Sequence, residues 1–503
     1  MSPAFQAALR SWSIPPAATF LILLTALVYL RGWWLLRRAG FPLIPPWRTG
    51  AFLAGLLSLW IALASPMDVL NGFALTAHML QHMLLMMFVP PLLLLGSPLI
   101  PLVRGLPIFA AREFAGPFVN WSVANRAGRV LTHPVVALLL MGVTMFAWHV
   151  PAAYELALQS SGWHQMEHAC FLLTSLIFWW PVVQPWPSRA RWQRGAMVPY
   201  LLVADLQNTV LSAVLVFSDR VLYPSYAAMP RVFGLSVLQD QVAAGAMMWV
   251  LGSLAFILPA AVIAVQYLSR RPEPMRSAGR SEPSYLDTVF ADPPNVPVFS
   301  RFMRRRFSPS RLEAIWFVIL FVSAGLFFAR LSSTASDDDD QALRFRQASG
   351  RFEVAVFANR ELQAGPAPFS VLVQDRDTQE VLLDTNVSFE ADQSGQTSPN
   401  STTQASYQDS ENKLLQRGVL DLSASGDWLL KLLVNRNSQA AQFSFPLQVE
   451  PKKAELELPW PYLALGVIAG LLGFSYLRRH RRNNLHSRVE YGAERSRSAK
   501  PLI

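Results

Sequence analysis

The stretch Ala77-His-Met-Leu-Gln-His-Met-Leu-Leu-Met-Met-Phe-Val-Pro90, continuing as Pro91-Leu-Leu-Leu-Leu-Gly96, decides how the rest of the chain is read. It lies in a run, residues 73–103, that contains no Asp, Glu, Lys or Arg. A hydrocarbon core about 30 Å thick needs roughly 20 apolar residues per helix, so this run reads as a membrane span with interfacial ends. Within it His78 and His82 stand four residues apart. Residues at that spacing lie about 40° apart on one helix face, so both imidazoles can reach one ion.

The whole chain shares this character. Of its 503 residues 52 % are apolar and only 15 % charged, where a soluble chain carries about 25 % charge. That excludes a disordered chain and argues against an ordinary soluble globule. The single cysteine, Cys170, excludes an intramolecular disulfide and any multi-cysteine zinc or iron–sulfur site. Apolar runs that predict spans lie near residues 14–31, 50–66, 73–103, 134–151, 164–184, 197–217, 235–268, 313–330 and 459–477. The first is not read as a cleaved signal, because Arg31, Arg37 and Arg38 follow it instead of preceding it.

Cation placement predicts the orientation. With the N-terminus outside, the inner segments hold 28 cations, whereas the outer short segments hold Arg10, Arg220 and Arg231, with Arg330 at a helix mouth. The expected topology is therefore N-terminus out and C-terminus in the cytoplasm, in a bacterial inner (plasma) membrane. It divides the chain into a seven-helix all-α membrane bundle (1–268), a basic cytoplasmic linker (269–312), helix eight (313–330), an outer polar domain (332–455), helix nine (459–477) and a basic cytoplasmic tail (478–503). The linker and tail suit the surface of anionic lipid, although solubility and topology alone also account for their charge. No nucleic-acid partner is expected.

The outer domain reads as strands. Phe352, Val354 and Val356 alternate with more polar neighbours, as do Phe369, Val371 and Val373, then Leu430, Leu432 and Val434, then Phe443, Phe445, Leu447 and Val449. An extracytoplasmic (periplasmic) antiparallel β-sandwich of roughly seven short strands is expected. Its 18 acids outnumber its 11 bases, and it holds no His, Cys or Met, so it lacks the soft ligands that hold copper. The run Asp337–Asp340 reads as a solvated tether.

The chemistry gathers at one end of the bundle. Under this topology His78 and His82 start helix three, His149 ends helix four, and His164 and His168 start helix five, all at the outer face. His133 lies at the inner face, and His480 and His486 lie in the tail. Five imidazoles in one layer predict a metal site for Cu, Zn, Fe or Ni, with haem ligation and plain structural burial as the competing readings. Asp68, Glu155, Glu167 and Asp240 share the layer and could orient ring N–H groups. Met79, Met83 and Met86 are close in sequence; as ligands they would favour Cu(I), although such rows more often pack. Asp205, deep in helix six, reads as an intramembrane relay or as a paired structural acid.

These residues resemble a known family. The stretch from Ala77 through Pro90-Pro-Leu-Leu-Leu-Leu-Gly-Ser-Pro98 is similar to the signature of the CtaG family, membrane assembly factors of caa(3)-type cytochrome c oxidase. So are Trp148-His-Val-Pro-Ala-Ala-Tyr-Glu155, His164-Gln-Met-Glu-His168 before Phe178-Trp-Trp-Pro181, and Asp240-Gln through Met248-Trp249. The resemblance extends over roughly residues 15–268, and these ordered motifs make it specific. The resemblance implies a seven-helix chaperone, not an enzyme, that is needed to make active oxidase and binds copper transiently. Its expected partners are oxidase subunits, a periplasmic copper chaperone and membrane lipid. Gly365-Pro-Ala-Pro-Phe-Ser-Val-Leu-Val-Gln-Asp375 resembles the YtkA-like and FixH-like outer sandwich domains. The alternatives kept open are a copper or other cation transporter, and a b-type haem redox membrane protein.

The charge asymmetry has a direct test. Protease added from the periplasmic side should cleave within 332–455, and a reporter fused after Arg482 should be cytoplasmic; a cytoplasmic 332–455 would invert the scheme.

Overall fold

The computed structural model describes residues 2–39, 44–107, 122–188, 191–269, 341–393 and 401–452. The runs 313–330 and 459–477, the tract Asp337–Asp340, the tail, and all of the linker past Ser269 lie outside these residues.

In chain order the helices are α1 (Pro3–Leu9), α2 (Pro16–Arg38), α3 (Pro46–Ala64), α4 (Pro66–Leu70), α5 (Leu75–Met83), α6 (Val89–Leu95) and α7 (Leu99–Gly105). Then come α8 (Ser122–Leu131), α9 (Pro134–His149), α10 (Pro151–Gln159), α11 (Ser161–Val183), α12 (Met197–Phe217), α13 (Pro224–Ala228) and α14 (Val237–Leu268). Among the described residues six helical segments are long and apolar enough to cross a membrane; the pair α9 and α10, bent by 72°, makes a seventh if counted as one span.

Proline writes many of these boundaries. Pro16, Pro46, Pro66, Pro134, Pro151 and Pro224 each open a helix, where the missing N–H costs nothing and φ is already set. Pro151 also forces Val150 into an extended conformation, so α9 stops at His149 and presents that imidazole at its end. Between α5 and α6 the chain makes a wide π-turn, Leu84–Phe88. Pro90 has no N–H for the Met86 carbonyl four residues back. The indole Nε1 of Trp179 on α11 donates to that carbonyl instead, at 3.0 Å. The histidine-bearing helix is thereby tied to its neighbour. At the start of α14, the longest helix among the described residues, Ser236 and Gln239 form a capping box that fixes where it begins.

Eight strands follow: β1 (Gln341–Ser349), β2 (Phe352–Asn359), β3 (Gly365–Asp375), β4 (Asn386–Gln393), β5 (Ser401–Gln404), β6 (Gln416–Leu422), β7 (Gly426–Arg436) and β8 (Gln439–Val449). They form two four-stranded sheets, ordered β1-β2-β3-β6 and β5-β4-β7-β8, with every strand pair antiparallel. Phe369 of one sheet meets Phe389 of the other with ring centroids 5.9 Å apart, inside a shared core that includes Val354, Val371, Leu430 and Phe443. The four strands with strong alternation are β2, β3, β7 and β8. Among the described residues the count is eight instead of roughly seven: β1, β5 and β6 carry polar residues or glycine where the pattern needs apolar ones, whereas β4 does alternate, through Val387, Phe389 and Ala391.

The sandwich sits on the end of the bundle that bears His78. Phe357 meets Phe73 at 5.6 Å, and Ala355, Leu372 and Leu414 share an apolar cluster with Ala4, Ala8 and Leu70. Polar contacts frame this patch. The Lys413 amide donates to Ser11 Oγ at 2.8 Å, and Gln374 Nε2 donates to the Arg231 carbonyl at 2.8 Å.

A pH-dependent ion pair lies on the same sheet. Arg351 donates to Asp375 at 2.7 Å, and with the amides of Thr378 and Asp377 it holds that carboxyl down from 3.8 to about 2. Because folding lowers the pKa, this stabilisation is complete above about pH 4 and disappears as pH falls towards 2. The thermal midpoint of the amide I strand band should therefore drop across that window, and Asp375→Asn should flatten the dependence.

Candidate metal centre

The four imidazoles of α5 and α11 converge. His78 and His82, one turn apart, bring their Nε2 atoms to 2.9 Å. His164 and His168 pair in the same way on α11, with ring centroids 4.1 Å apart. Between the helices His78 lies 5.1 Å from His164, and His82 lies 5.4 Å from His168, measured between ring centroids. One nitrogen from each of the four lies within 4.8 Å of all the others. A tetrahedral ion with nitrogen ligands at about 2.0–2.1 Å spaces them about 3.3 Å apart, so side-chain adjustments of about 1 Å close the cluster.

Hydrogen bonding sets the state of the rings. Tyr226 donates its hydroxyl to the Asn71 carbonyl at 2.8 Å, so at the 3.2 Å contact with His78 Nδ1 the ring is the donor. That leaves the His78 Nε2 lone pair facing the cluster. Burial and unmet bonding set this group apart from ordinary packing. His82 Nδ1, His164 Nε2, His168 Nε2 and His149 Nε2 are buried without a hydrogen-bond partner, as are both carboxylate oxygens of Glu167. Each such atom costs about 1–3 kcal/mol when nothing is bound to it. Glu167 Oε2 stands 3.6 Å from His78 Nε2 and 3.8 Å from His82 Nε2, beside the cluster itself.

The other acids have different work. Asp240 does not reach a ring; it accepts from the amides of Leu75 at 2.7 Å and Thr76 at 3.2 Å. It caps α5 from a distant helix, because the local cap position is Ala74, which has no side-chain acceptor. Asp68 accepts from Gln81 Nε2 at 2.7 Å, on the turn between the two histidines of α5. Glu155 accepts from the amide of Ser225 at 3.0 Å and from its hydroxyl, holding α13, and therefore Tyr226, against α10. Asp205 accepts from Ser253 on α14 at 2.7 Å. His149 stands outside the group of four, its Nδ1 bonded to the Met145 carbonyl at 2.7 Å. His133 precedes the opposite end of α9 without a side-chain capping bond, its ring against Trp192. Met79, Met83 and Met86 are buried and line a small cavity that His82 and His149 also border. Tyr154 on α10, which lies within the Trp148–Glu155 motif, and Tyr226 on α13 both pack against His78; Tyr226 stands singly in its short helix, without a period or pairing in the sequence to mark it.

A profile described as cytochrome c oxidase caa3 assembly factor (Caa3_CtaG) matches residues 27–270. The helical unit belongs to that family. Its matched region contains all five histidines of the sequence-predicted layer. Among curated proteins, an uncharacterised protein of Mycobacterium bovis is 24 % identical over 271 residues, covering 53 % of this chain and 40 % of the relative. An uncharacterised protein of Mycobacterium leprae is 25 % identical over 275 residues, covering 52 % of this chain and 40 % of the relative. The chain thus spans less than half the length of the curated relatives it matches. No solved structure matches.

The remote cap gives a test. Asp240→Ala should destabilise the start of α5 by about 1 kcal/mol, the usual cost of a lost cap. Hydrogen exchange at Leu75 and Thr76 should rise, while exchange in α12 stays unchanged.

Proposed function

We propose that the protein is a membrane assembly factor for cytochrome c oxidase that binds copper as transient cargo at His78, His82, His164 and His168 and passes it to the oxidase. The observation that carries this reading is the convergence of four imidazoles from two helices, with buried nitrogens left unpartnered. Neutral imidazoles suit a borderline or soft ion, and their protons must be absent from the ligating atoms for it to bind. Glu167 beside the cluster supplies negative charge against the incoming cation. Membership of the oxidase assembly family supplies the destination.

In this reading the N-terminus is outside, the histidine end faces the periplasm of a bacterial inner membrane, and the C-terminus is cytoplasmic. The sandwich, without His, Cys or Met, binds no cargo; it docks an oxidase subunit or a periplasmic copper chaperone. The transporter alternative has less support, since Asp205 is engaged by Ser253 and is not among the residues around the cavity below the histidines.

The test compares purified full-length variants for metal per folded molecule. His78→Ala with His82→Ala should lose the ion held by the four-imidazole cluster, read as Zn(II) uptake, and fail to restore oxidase activity in a deletion strain. His133→Ala, at the other end of the bundle, should behave as wild type. Wild-type protein that binds neither copper nor zinc at pH 7 would overturn the metal reading.

A further inference from the structure

Below the four-imidazole cluster lies a cavity with thioether walls. Six of its nine lining residues are methionines: Met79, Met83, Met86, Met87, Met145 and Met248. The others are His82, His149 and Asn208. The methionines come from three directions, namely α5 with its π-turn, α9 and α14, and each is at most 3 % exposed. The cavity offers about 10 Å³ to the centre of a water-sized sphere, which is room for one small occupant.

Two features separate this cavity from ordinary methionine packing. The first is His149. Its Nδ1 must donate to the Met145 carbonyl, a group that can only accept, so its Nε2 carries a bare lone pair. That Nε2 is buried and has no partner, on a residue that borders the cavity. A backbone carbonyl fixing one ring nitrogen while the other is left free is the arrangement that prepares a histidine for a metal. The second is Asn208, which donates Nδ2 to the Met248 carbonyl at 3.2 Å. A Cβ at Gly252 would collide with the Asn208 amide, so the glycine keeps the space in which this brace fits.

We infer that this cavity is a second metal site, distinct from the four-imidazole cluster, which takes a soft monovalent ion, Cu(I), through methionine thioethers and His149 Nε2. Thioether sulfur selects Cu(I) over Zn(II), whereas imidazole alone does not discriminate so sharply. The five histidines therefore divide into four and one. His82 stands between the two sites: its Nε2 faces His78 in the upper cluster, and the ring borders the lower cavity. The choice of ion rests on the copper reading above; the site itself rests on the cavity.

The experiment titrates the purified full-length protein with Cu(I), delivered anaerobically from a competing chelator, and separately with Zn(II). The wild type should take up one more equivalent of Cu(I) than of Zn(II), and X-ray absorption of the Cu(I)-loaded protein should show sulfur neighbours. The variant Met83→Leu, Met86→Leu, Met145→Leu should lose that extra equivalent and the sulfur signal while keeping its Zn(II). Leucine nearly conserves methionine volume, so the packing survives. Should that variant fail to accumulate, Met145→Leu with Met248→Leu, on α9 and α14, should weaken the extra Cu(I) at least tenfold. Equal Cu(I) and Zn(II) uptake by the wild type, or full Cu(I) retention without sulfur neighbours in either variant, would overturn the second site. Loss of Zn(II) binding with Cu(I) and sulfur signal retained would instead strike the four-imidazole reading and leave this one standing.

Discussion

An imidazole nitrogen buried without a partner is costly, and one end of this bundle keeps four of them. The arrangement around them is made to tolerate that cost. Asp240 caps the helix carrying the first pair, Trp179 takes up the carbonyl that Pro90 cannot satisfy, and Tyr226 fixes the tautomer of His78. Each support comes from an element remote in sequence. The rings are therefore held in place by the folded bundle and not by their own helices, which leaves their inner nitrogens free for a ligand.

The split between what could and could not be read from the sequence follows from the same fact. Spans were legible because membrane thickness imposes length and apolarity on each helix, and the i, i+4 spacing of His78 with His82 and of His164 with His168 fixed which rings share a face. The convergence of α5 on α11 needs tertiary packing, so spacing alone left one site or two undecided. The acids show the limit most clearly. Asp68, Glu155 and Asp240 lie near the right level, yet each is bound to a helix end, a glutamine or a loop; only Glu167, which shares its helix with one histidine pair, stands beside the rings.

The sandwich tells a parallel story. Strands β7 and β8 alternate cleanly because one of their faces is buried and the other is not, whereas β2 and β3 are buried on both faces, the second of which meets the helical unit through Ala355, Phe357 and Leu372. Strand β5, at an edge, is made of Ser, Thr and Gln and is recognisable only once its partner is known, while its neighbour β4 alternates through the buried Val387, Phe389 and Ala391. That the domain would rest on the histidine-bearing end was not written in its own residues. The apolar side of that contact is a few small and aromatic side chains scattered over α1, α4 and the start of α5.

Much of the polar seam between the two parts is made to main-chain atoms: Gln374 meets the carbonyl of Arg231, and Arg346 meets that of Ala228. A joint of this kind recognises the path of a loop and not the identity of its side chains. The course of that loop is itself held by the Arg231 guanidinium, which donates to the carbonyls of Tyr226 and Met229, so inserting a single residue there would put the seam out of register. The same loop leaves the short helix α13 that carries Tyr226, and Arg231 ties back to the Tyr226 carbonyl, so its length is a hidden dimension of the histidine cluster, set from the sandwich side and felt at His78.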